Sequence, residues 1–594
     1  MSLNESKQQV KYIRMASMLA AFALLVSSAY AQTDSAGSAK TPQNWFTQFN
    51  QERSRSGMMG DQHTTPVGSV YVPIDSWIYP ALDRLQALGY IDFGFLGLRP
   101  WTRTSIKNML DQTSKAIESA KGDEEAREIY LAVRKEIDPA PGSFADLLRP
   151  SNNFESAYTR LGGIAGTPLR DSFHLGLTNV NDYGRPYQEG FNAIAGFSTR
   201  SEAGRFALYF RGEYQHAPSA PGYSQSLSDI LSTIDGVPIA IYPNQSIIPV
   251  GPIAPVNDFR IVEANVSYLL LNNEFSFGKS DRWLGPAKGG SFAWSNNAEN
   301  IYAFTIDRVE PLYVPLLSRI TGPFRYEFFV GSLKGHVDPR DPWIHAEKVS
   351  FKPTVNLEMG FERSVIWGGE GHVPITVHTF LRSFFSLHNV PSSEKFSRAD
   401  PGARFGAFDF SYRLPFVRKW LTLYSDSFAH DDVNPISAPR RAAIRPGLYL
   451  SHFPSVPHLD FRVEAVSTDP PTSRSNGGDF IYAEQVQREG YTNKGYILGD
   501  PIGRESKGGQ TWLTYHLSPR EDLQFSYRNA KAAKDFIPGG TTQNSFQFSA
   551  VKRIHEDFEL RGLVQYEAWK APIYKPGLQN DTTATFQVTW FPHH

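Results

Sequence analysis

The chain has 594 residues, 41% of them hydrophobic, with 59 Lys+Arg against 60 Asp+Glu for a net charge of −1. No basic field of the kind that grips nucleic acid is present, so a DNA or RNA partner is not expected. Cysteine is absent, which removes thiol catalysis, cysteine-ligated zinc, iron–sulfur clusters, disulfides and the acylated cysteine of a bacterial lipoprotein.

The first 31 residues have the layout of a cleaved secretory signal. Lys7, Lys11 and Arg14 make a basic start, Met15 to Val26 a short apolar core, and Ala29-Tyr30-Ala31 a small-residue cleavage site. The core is shorter than the roughly 20 residues a membrane-spanning helix needs. Residues 32–65 are polar without an apolar period and read as a flexible lead-in.

Residues 66–150 are expected to form a small helical domain. Its first helix spans Asp75 to Gly89, capped by Asp75 or Ser76, with Pro80 in the first turn and Gly89 at its end. Ile78, Leu82 and Leu85 share one face of it. A second helix runs from about Thr104 to Ala120, with Ile106, Met109 and Leu110 as apolar points. A third, charged helix from Asp123 to Ile137 carries the row Ile129, Val133 and Ile137.

After Pro150 the period changes to two. Leu523, Phe525 and Tyr527 alternate with Gln524, Ser526 and Arg528. Phe586, Val588 and Trp590 alternate with Thr585, Gln587 and Thr589. A soluble sandwich also alternates, so connection lengths carry the argument. Ser201 to Gly204, Leu271 to Asn273, Ser518 to Glu521 and His555 to Asp557 are tight. Pro218 to Asn257, Asp281 to Asn300, Ala530 to Thr542 and Lys570 to Asn580 read as long. Short turns alternating with long loops are the pattern of outer-membrane barrels, whose alternating strands also keep mean hydropathy low, here −0.36. Aromatic residues near the ends of runs (Phe328-Phe329, Phe384-Phe385, Trp590-Phe591) suit interfacial girdles. Residues 151–594 are therefore expected to be an all-β outer-membrane β-barrel, although 360–500 show no consistent up–down parity.

Several segments resemble the Wzi-type capsule assembly family. They are Gly68 to Pro73 with Asp75-Ser76-Trp77 and Ala81 to Leu85, then Gly97-Leu98-Arg99-Pro100-Trp101-Thr102-Arg103. Trp283-Leu284-Gly285-Pro286 with Ser295 to Ala298, Met359 to Arg363, Gly499 to Arg504 and Phe536 to Gly540 are similar as well. The resemblance runs from about residue 66 to the end. It implies a barrel of about 18 strands with a helical bundle on the periplasmic side, acting as a lectin that holds capsular polysaccharide at the cell surface.

Motifs for other chemistry are weak. His516-Leu517-Ser518 has a phospholipase-like spacing but abuts a tight turn. His430-Asp431-Asp432 and Asp338-Pro339-Arg340-Asp341 lack the fixed ligand spacing of a calcium loop. Gly285 to Ser291 does not match a phosphate-binding loop. Neither catalysis, a metal nor a cofactor is expected. Saccharide binding instead needs aromatic rings for C–H faces and paired polar groups for hydroxyls. Trp283 and Trp294 flank Asn296 and Asn297, and Trp343 lies beside Asp338, Arg340 and Asp341. These eight are the candidate contacts, on loops expected to face outward. The expected function is a non-enzymatic saccharide-binding protein, with capsular or other extracellular polysaccharide and outer-membrane lipid as partners, monomeric. A porin-like sugar channel is the alternative.

Overall fold

The structure is a computed structural model that describes residues 67–120, 123–137, 150–386, 391–431, 435–437, 439–472 and 477–592. The expected signal (1–31) and lead-in (32–65) lie outside these residues, as does Asp432.

Eighteen antiparallel strands close on themselves in sequence order. They are β1 Ser151–Gly166, β2 Gly190–Ala203, β3 Phe206–Ala217, β4 Val256–Leu270, β5 Asn273–Lys279 and β6 Tyr302–Arg308. There follow β7 Phe324–Ser332, β8 Trp343–Thr354, β9 Leu357–Trp367, β10 Ala403–Arg413, β11 Leu421–His430 and β12 Ala443–Leu450. The last six are β13 Leu459–Ser467, β14 Ser506–Ser518, β15 Glu521–Ala532, β16 Thr542–Ile554, β17 Phe558–Ala571 and β18 Lys575–Trp590. Closure falls on β1, where Thr159 pairs with Val588 on one side and Ala195 on the other. No edge is left unpaired, which lipid demands of any sheet it surrounds.

Alternation sorts the two faces. Phe206, Phe277, Phe525, Phe548, Val564 and Phe586 point outward and are exposed, while Glu263, Asp307, Lys348, Asp409 and Glu464 point inward and are buried. An apolar outside around a polar inside is the transmembrane-barrel arrangement. Among the described residues no helix is long and apolar enough to cross a membrane.

The tight turns expected at 271–273, 518–521 and 555–557 are present at one end, and that at 201–204 closes between Ala203 and Phe206. The loops at 218–255, 280–301 and 533–541 lie at the other end. Lys570 to Asn580 is a correction. It is a hairpin in which Glu567 pairs with Asp581 and Ala571 with Lys575. Its polar residues mislead because strands that continue beyond the bilayer need no apolar face.

The aromatic pairs divide in the same way. Phe329 points inward onto Trp294, and Phe384-Phe385 lie on a helix rather than a strand.

At the tight-turn end three helices pack around Leu82, Leu85, Trp101, Ile106, Leu110, Ile129 and Val133. They are α1 Ile78–Ala87, α2 Arg103–Ser119 and α3 Glu124–Ile137; a further helix, α4 Gln225–Asp235, lies in the 218–255 loop. Thr102 caps α2 by accepting from the Ser105 N–H at 3.1 Å. Asp75 does not cap α1 but receives two hydrogen bonds from Arg211 of β3, at 3.0 and 2.8 Å. The connection after α1 enters the barrel, where the amides of Leu96 and Gly97 both donate to Glu358 at 2.9 Å.

The lumen is occupied by protein. Loop residues Phe173, Ile248, Phe292, Trp294, Tyr482, Tyr491 and Leu498 form one buried core with Phe405 and Phe428 of the wall. Ion pairs fasten this plug: Arg282 to Glu327 at 2.8 Å and Asp500 to Arg445 at 2.6 Å. Each pair joins a loop to a strand, so neither partner can leave without stranding a buried charge.

Candidate functional site

Three loop segments meet beneath the long-loop end and enclose a cleft of about 180 Å³. They are 168–188, 246–253 and 494–496, with Tyr223 completing the wall. The 494–496 segment is the tip of a hairpin in which Thr492 pairs with Ile497 and Asn493 with Tyr496. Lys494 and Gly495 both have positive φ, 53° and 81°, as a two-residue type I′ turn requires. A Cβ on Gly495 would come within 2.5 Å of the Ser246 carbonyl, so the turn fits only as glycine. This turn presents Tyr496 to the cleft.

Tyr223 is held by a different device. Its hydroxyl donates to Asp171 at 2.9 Å, and Tyr574 donates to the same oxygen at 2.7 Å. Asp171 also pairs with His174 Nδ1 at 2.8 Å, while His174 Nε2 meets Asp235 at 2.7 Å. Asp235 in turn pairs with Arg504 at 2.7 Å. Burial alone would lower the His174 pKa, but the two carboxylates outweigh it and raise it to about 9. His174 is thus a cation at neutral pH, in a buried chain of alternating charges behind the cleft.

The polar part of the remaining lining is Arg170, Asn179 and Gln188 with Tyr187, set among apolar Leu169, Leu177, Ile247 and Ile253. Arg170 donates to Gln188 at 3.2 Å and to the Pro221 carbonyl at 3.0 Å. Asn179 and Tyr187 also line a deeper chamber of about 230 Å³ against the wall of β1, β2 and β14–β18. Its wall presents Gln510, Gln547, Gln565, Gln587, Arg528 and Arg561. Asp182 anchors the boundary between the two spaces, paired with Arg160 at 2.9 Å and with Arg185. Burial opposes its ionisation, but Arg185 and Arg160 hold its carboxyl well below the usual range. Rings beside amides and guanidinium groups are what pyranose C–H faces and hydroxyl pairs require.

The eight residues marked from sequence divide into two groups. Trp283 donates from Nε1 to the Ala287 carbonyl at 3.0 Å, and Trp294 packs edge-on against Phe329 and Tyr491. Asn297 donates to Ser172 at 3.1 Å and to the Ile497 carbonyl at 3.0 Å, and Asn296 is buried beside it. Loop 280–301 therefore folds into the lumen rather than outward, and Asn297 braces two walls of the cleft.

The second group stays near the surface. Asp338 pairs with Arg488 at 3.4 Å, Arg340 with Glu370 at 3.2 Å, and Asp341 with Lys334 at 3.1 Å. Their loop abuts the hairpin, the Lys494 amide donating to the Lys334 carbonyl at 2.6 Å. Trp343 opens β8 and stands edge-on to Trp367. Of the other motifs, His430 is buried against Phe405 and Phe480, and His516 pairs with Asp460 at 2.8 Å.

The sequence does not single out the cleft tyrosines, because tyrosine is spread through the chain, 27 against 11 tryptophans. One signal was readable: Asn493-Lys494-Gly495-Tyr496 is a hairpin turn that carries an aromatic ring.

The family model described as "Capsule assembly protein Wzi" matches residues 160–584. An uncharacterised 55.8 kDa protein in the cps region of Klebsiella pneumoniae is 25% identical over 163 residues, 27% of this chain. That match spans only 31% of the relative's own length. Among solved structures, Wzi of Escherichia coli superposes with a TM-score of 0.63 at 16% identity, over 87% of this chain and 98% of that one. That protein is described as an outer-membrane, carbohydrate-binding β-barrel involved in group 1 capsule assembly.

Proposed function

The chain belongs to the Wzi capsule assembly family, and from that premise we propose that it is an outer-membrane lectin that holds capsular or another extracellular polysaccharide at the cell surface. The observation that carries the reading is the cleft of Tyr223, Tyr496, Tyr187, Arg170, Gln188 and Asn179 beneath the long loops. Long loops face outward in bacterial barrels, so the cleft opens toward the polymer and helices α1–α3 face the periplasm. Arg340, Asp338 and Asp341 extend the contact surface beside it, whereas Trp343 stands on the outer face of the wall against Trp367. Asn296 and Asn297 act from beneath, their carbonyls accepting from the Tyr183 and Gly184 amides of the 168–188 segment, while Trp283 and Trp294 pack in the plug away from the cleft lining. Several modest contacts along a repeating polymer add up through multivalency. The protein acts by binding alone, without a chemical step. The core of loop side chains inside the barrel weighs against the sugar-channel alternative.

The test is deletion of the gene in the parent bacterium, with cell-bound and released high-molecular-weight polysaccharide measured separately. Total polymer is expected to stay constant while the bound fraction moves to the medium. Wild type should restore the bound fraction, and the Arg170→Ala, Tyr496→Ala double variant should not. An unchanged partition on deletion overturns the proposal.

A further inference from the structure

The connection between β9 and β10 contains helix α5, Val377–Phe385, and this helix lies on the outside of the barrel wall. It packs against outward positions of three adjacent strands. Phe380 and Phe384 pack against Phe328 of β7 and His345 of β8, and Phe380 also meets Trp367 of β9. Phe328, His345 and Trp367 alternate with inward-facing Glu327, Ile344 and Ile366, so all three belong to the lipid side of the wall.

The wall beneath α5 carries a cluster of charged and polar side chains on its outward face. Outward positions on β8 read Trp343, His345, Glu347, Val349 and Phe351, and on β9 Met359, Phe361, Arg363, Val365 and Trp367. The polar members form a cluster: His345 Nδ1 meets Glu347 at 2.6 Å, and Arg363 meets Glu347 at 3.7 Å. Helix α5 satisfies the outer side of this cluster. Ser383 bonds to His345 Nε2 at 2.9 Å. Arg363 donates to the carbonyls of Ser383, Phe384 and Ser386 at 2.9, 2.9 and 2.7 Å, closing the helix C-terminus with a cation. At the other end Thr376 and Thr379 form a reciprocal cap.

What α5 turns away from the wall is a second apolar stripe. Val377, Leu381 and Phe385 recur every fourth residue and are exposed by 75%, 45% and 71%. Below the cluster the strands expose Val349 at 39%. The stripe therefore continues the apolar band upward over a part of the wall whose own side chains would leave a polar gap in it.

We infer that α5 is a membrane-contacting element, its Val377–Leu381–Phe385 stripe embedded among lipid acyl chains at the outer margin of the bilayer. The continuity with the lipid-facing band selects lipid as the occupant: a helix facing water or a hydrated polymer has no reason to carry three large apolar residues on its free face.

Because the chain contains no cysteine, one introduced thiol gives a single labelling site. Leu381→Cys and Phe385→Cys would each carry a nitroxide in the full chain, reconstituted in vesicles of phosphatidylethanolamine and phosphatidylglycerol. Val349→Cys serves as the belt reference and Asp229→Cys, on an exposed loop helix, as the aqueous one. Power saturation should show both α5 labels relaxed more by oxygen than by a water-soluble nickel chelate, as at position 349. Preferential relaxation by nickel, as at position 229, overturns the inference. Spin–spin broadening that disappears on dilution with unlabelled protein also overturns it, since a second copy of the chain then covers the stripe. All four substitutions are at surface positions and leave the Arg363 and His345 contacts in place, so the folded barrel is retained for the measurement.

Discussion

Asp171 gathers five donors on one carboxylate: the hydroxyls of Tyr223 and Tyr574, His174 Nδ1, and the amides of Phe173 and His174. Such a hub fixes the Tyr223 ring before any sugar arrives. His174 beside it makes stability depend on pH. Its folded pKa of about 9 lies above the ordinary histidine value of about 6.5. Its contribution is therefore complete below about pH 6.5 and is lost as pH rises through about 9. Thermal unfolding of the detergent-purified protein should occur at lower temperature at the alkaline end of that window. His174→Asn should flatten the dependence and destabilise by about 3–5 kcal/mol, because Asp171 and Asp235 are left buried without their cation. Asp171 and Asp235 both have lowered pKa values, despite burial, because of His174. Their own contribution fades only in acid, so the alkaline loss reports His174. In the cleft, Tyr496→Ala should weaken binding of the native polysaccharide roughly tenfold, equivalent to about 1.4 kcal/mol, with an unchanged unfolding temperature. An equal loss from both would place Tyr496 in folding rather than recognition.

Helices α1 to α3 show an element whose stability comes from a shared face rather than from length. Leu85 is fully buried among Ile78, Leu82, Ile91 and Trp101. Leu85→Ala should cost about 2–5 kcal/mol, and Thr102→Ala, which removes a single capping bond, about 1 kcal/mol. Hydrogen exchange resolved by segment should show faster opening of 78–137 in both variants, with the amides of β14–β18 unaffected. The strands illustrate the opposite case. Their periodicity is clear in the C-terminal strands, where outward Phe525, Phe548, Val564 and Phe586 meet lipid, and unclear over 360–500. Within that range Arg363 takes an outward position of β9 under α5, and the connection between β9 and β10 is helical, so the apolar alternation is interrupted without breaking the strand.

For the molecule as a whole, a closed barrel and an occupied lumen are separate facts with separate consequences. Strand pairing makes the wall, but loop-to-wall contacts such as Asp500 with Arg445 and Arg282 with Glu327 keep the interior filled. In planar bilayers the protein should show no steady conductance. Asp500→Ala removes two hydrogen bonds to Arg445, at 2.6 and 3.0 Å, and should produce intermittent openings as the plug loosens. A steady wild-type channel would instead favour sugar transport.

The sequence by itself determined the quantities that depend on local repetition. Alternation of two, tight turns spaced by strand lengths and the glycine that ends the first helix are written residue by residue, and they specify a barrel preceded by helices. Family motifs spread along the chain were legible for the same reason. What the tertiary structure alone decided is which way each long loop goes. Loop 280–301 reads as an exposed polar segment with two tryptophans, yet Trp294 finds Phe329 and Tyr491 inside the barrel and Asn297 finds Ser172 and Ile497. The cleft likewise draws Arg170, Tyr223 and Tyr496 from three separate loops. Burial and hydrogen-bond satisfaction between segments hundreds of residues apart leave no period in the chain, and so could be seen only once the barrel had brought those segments together.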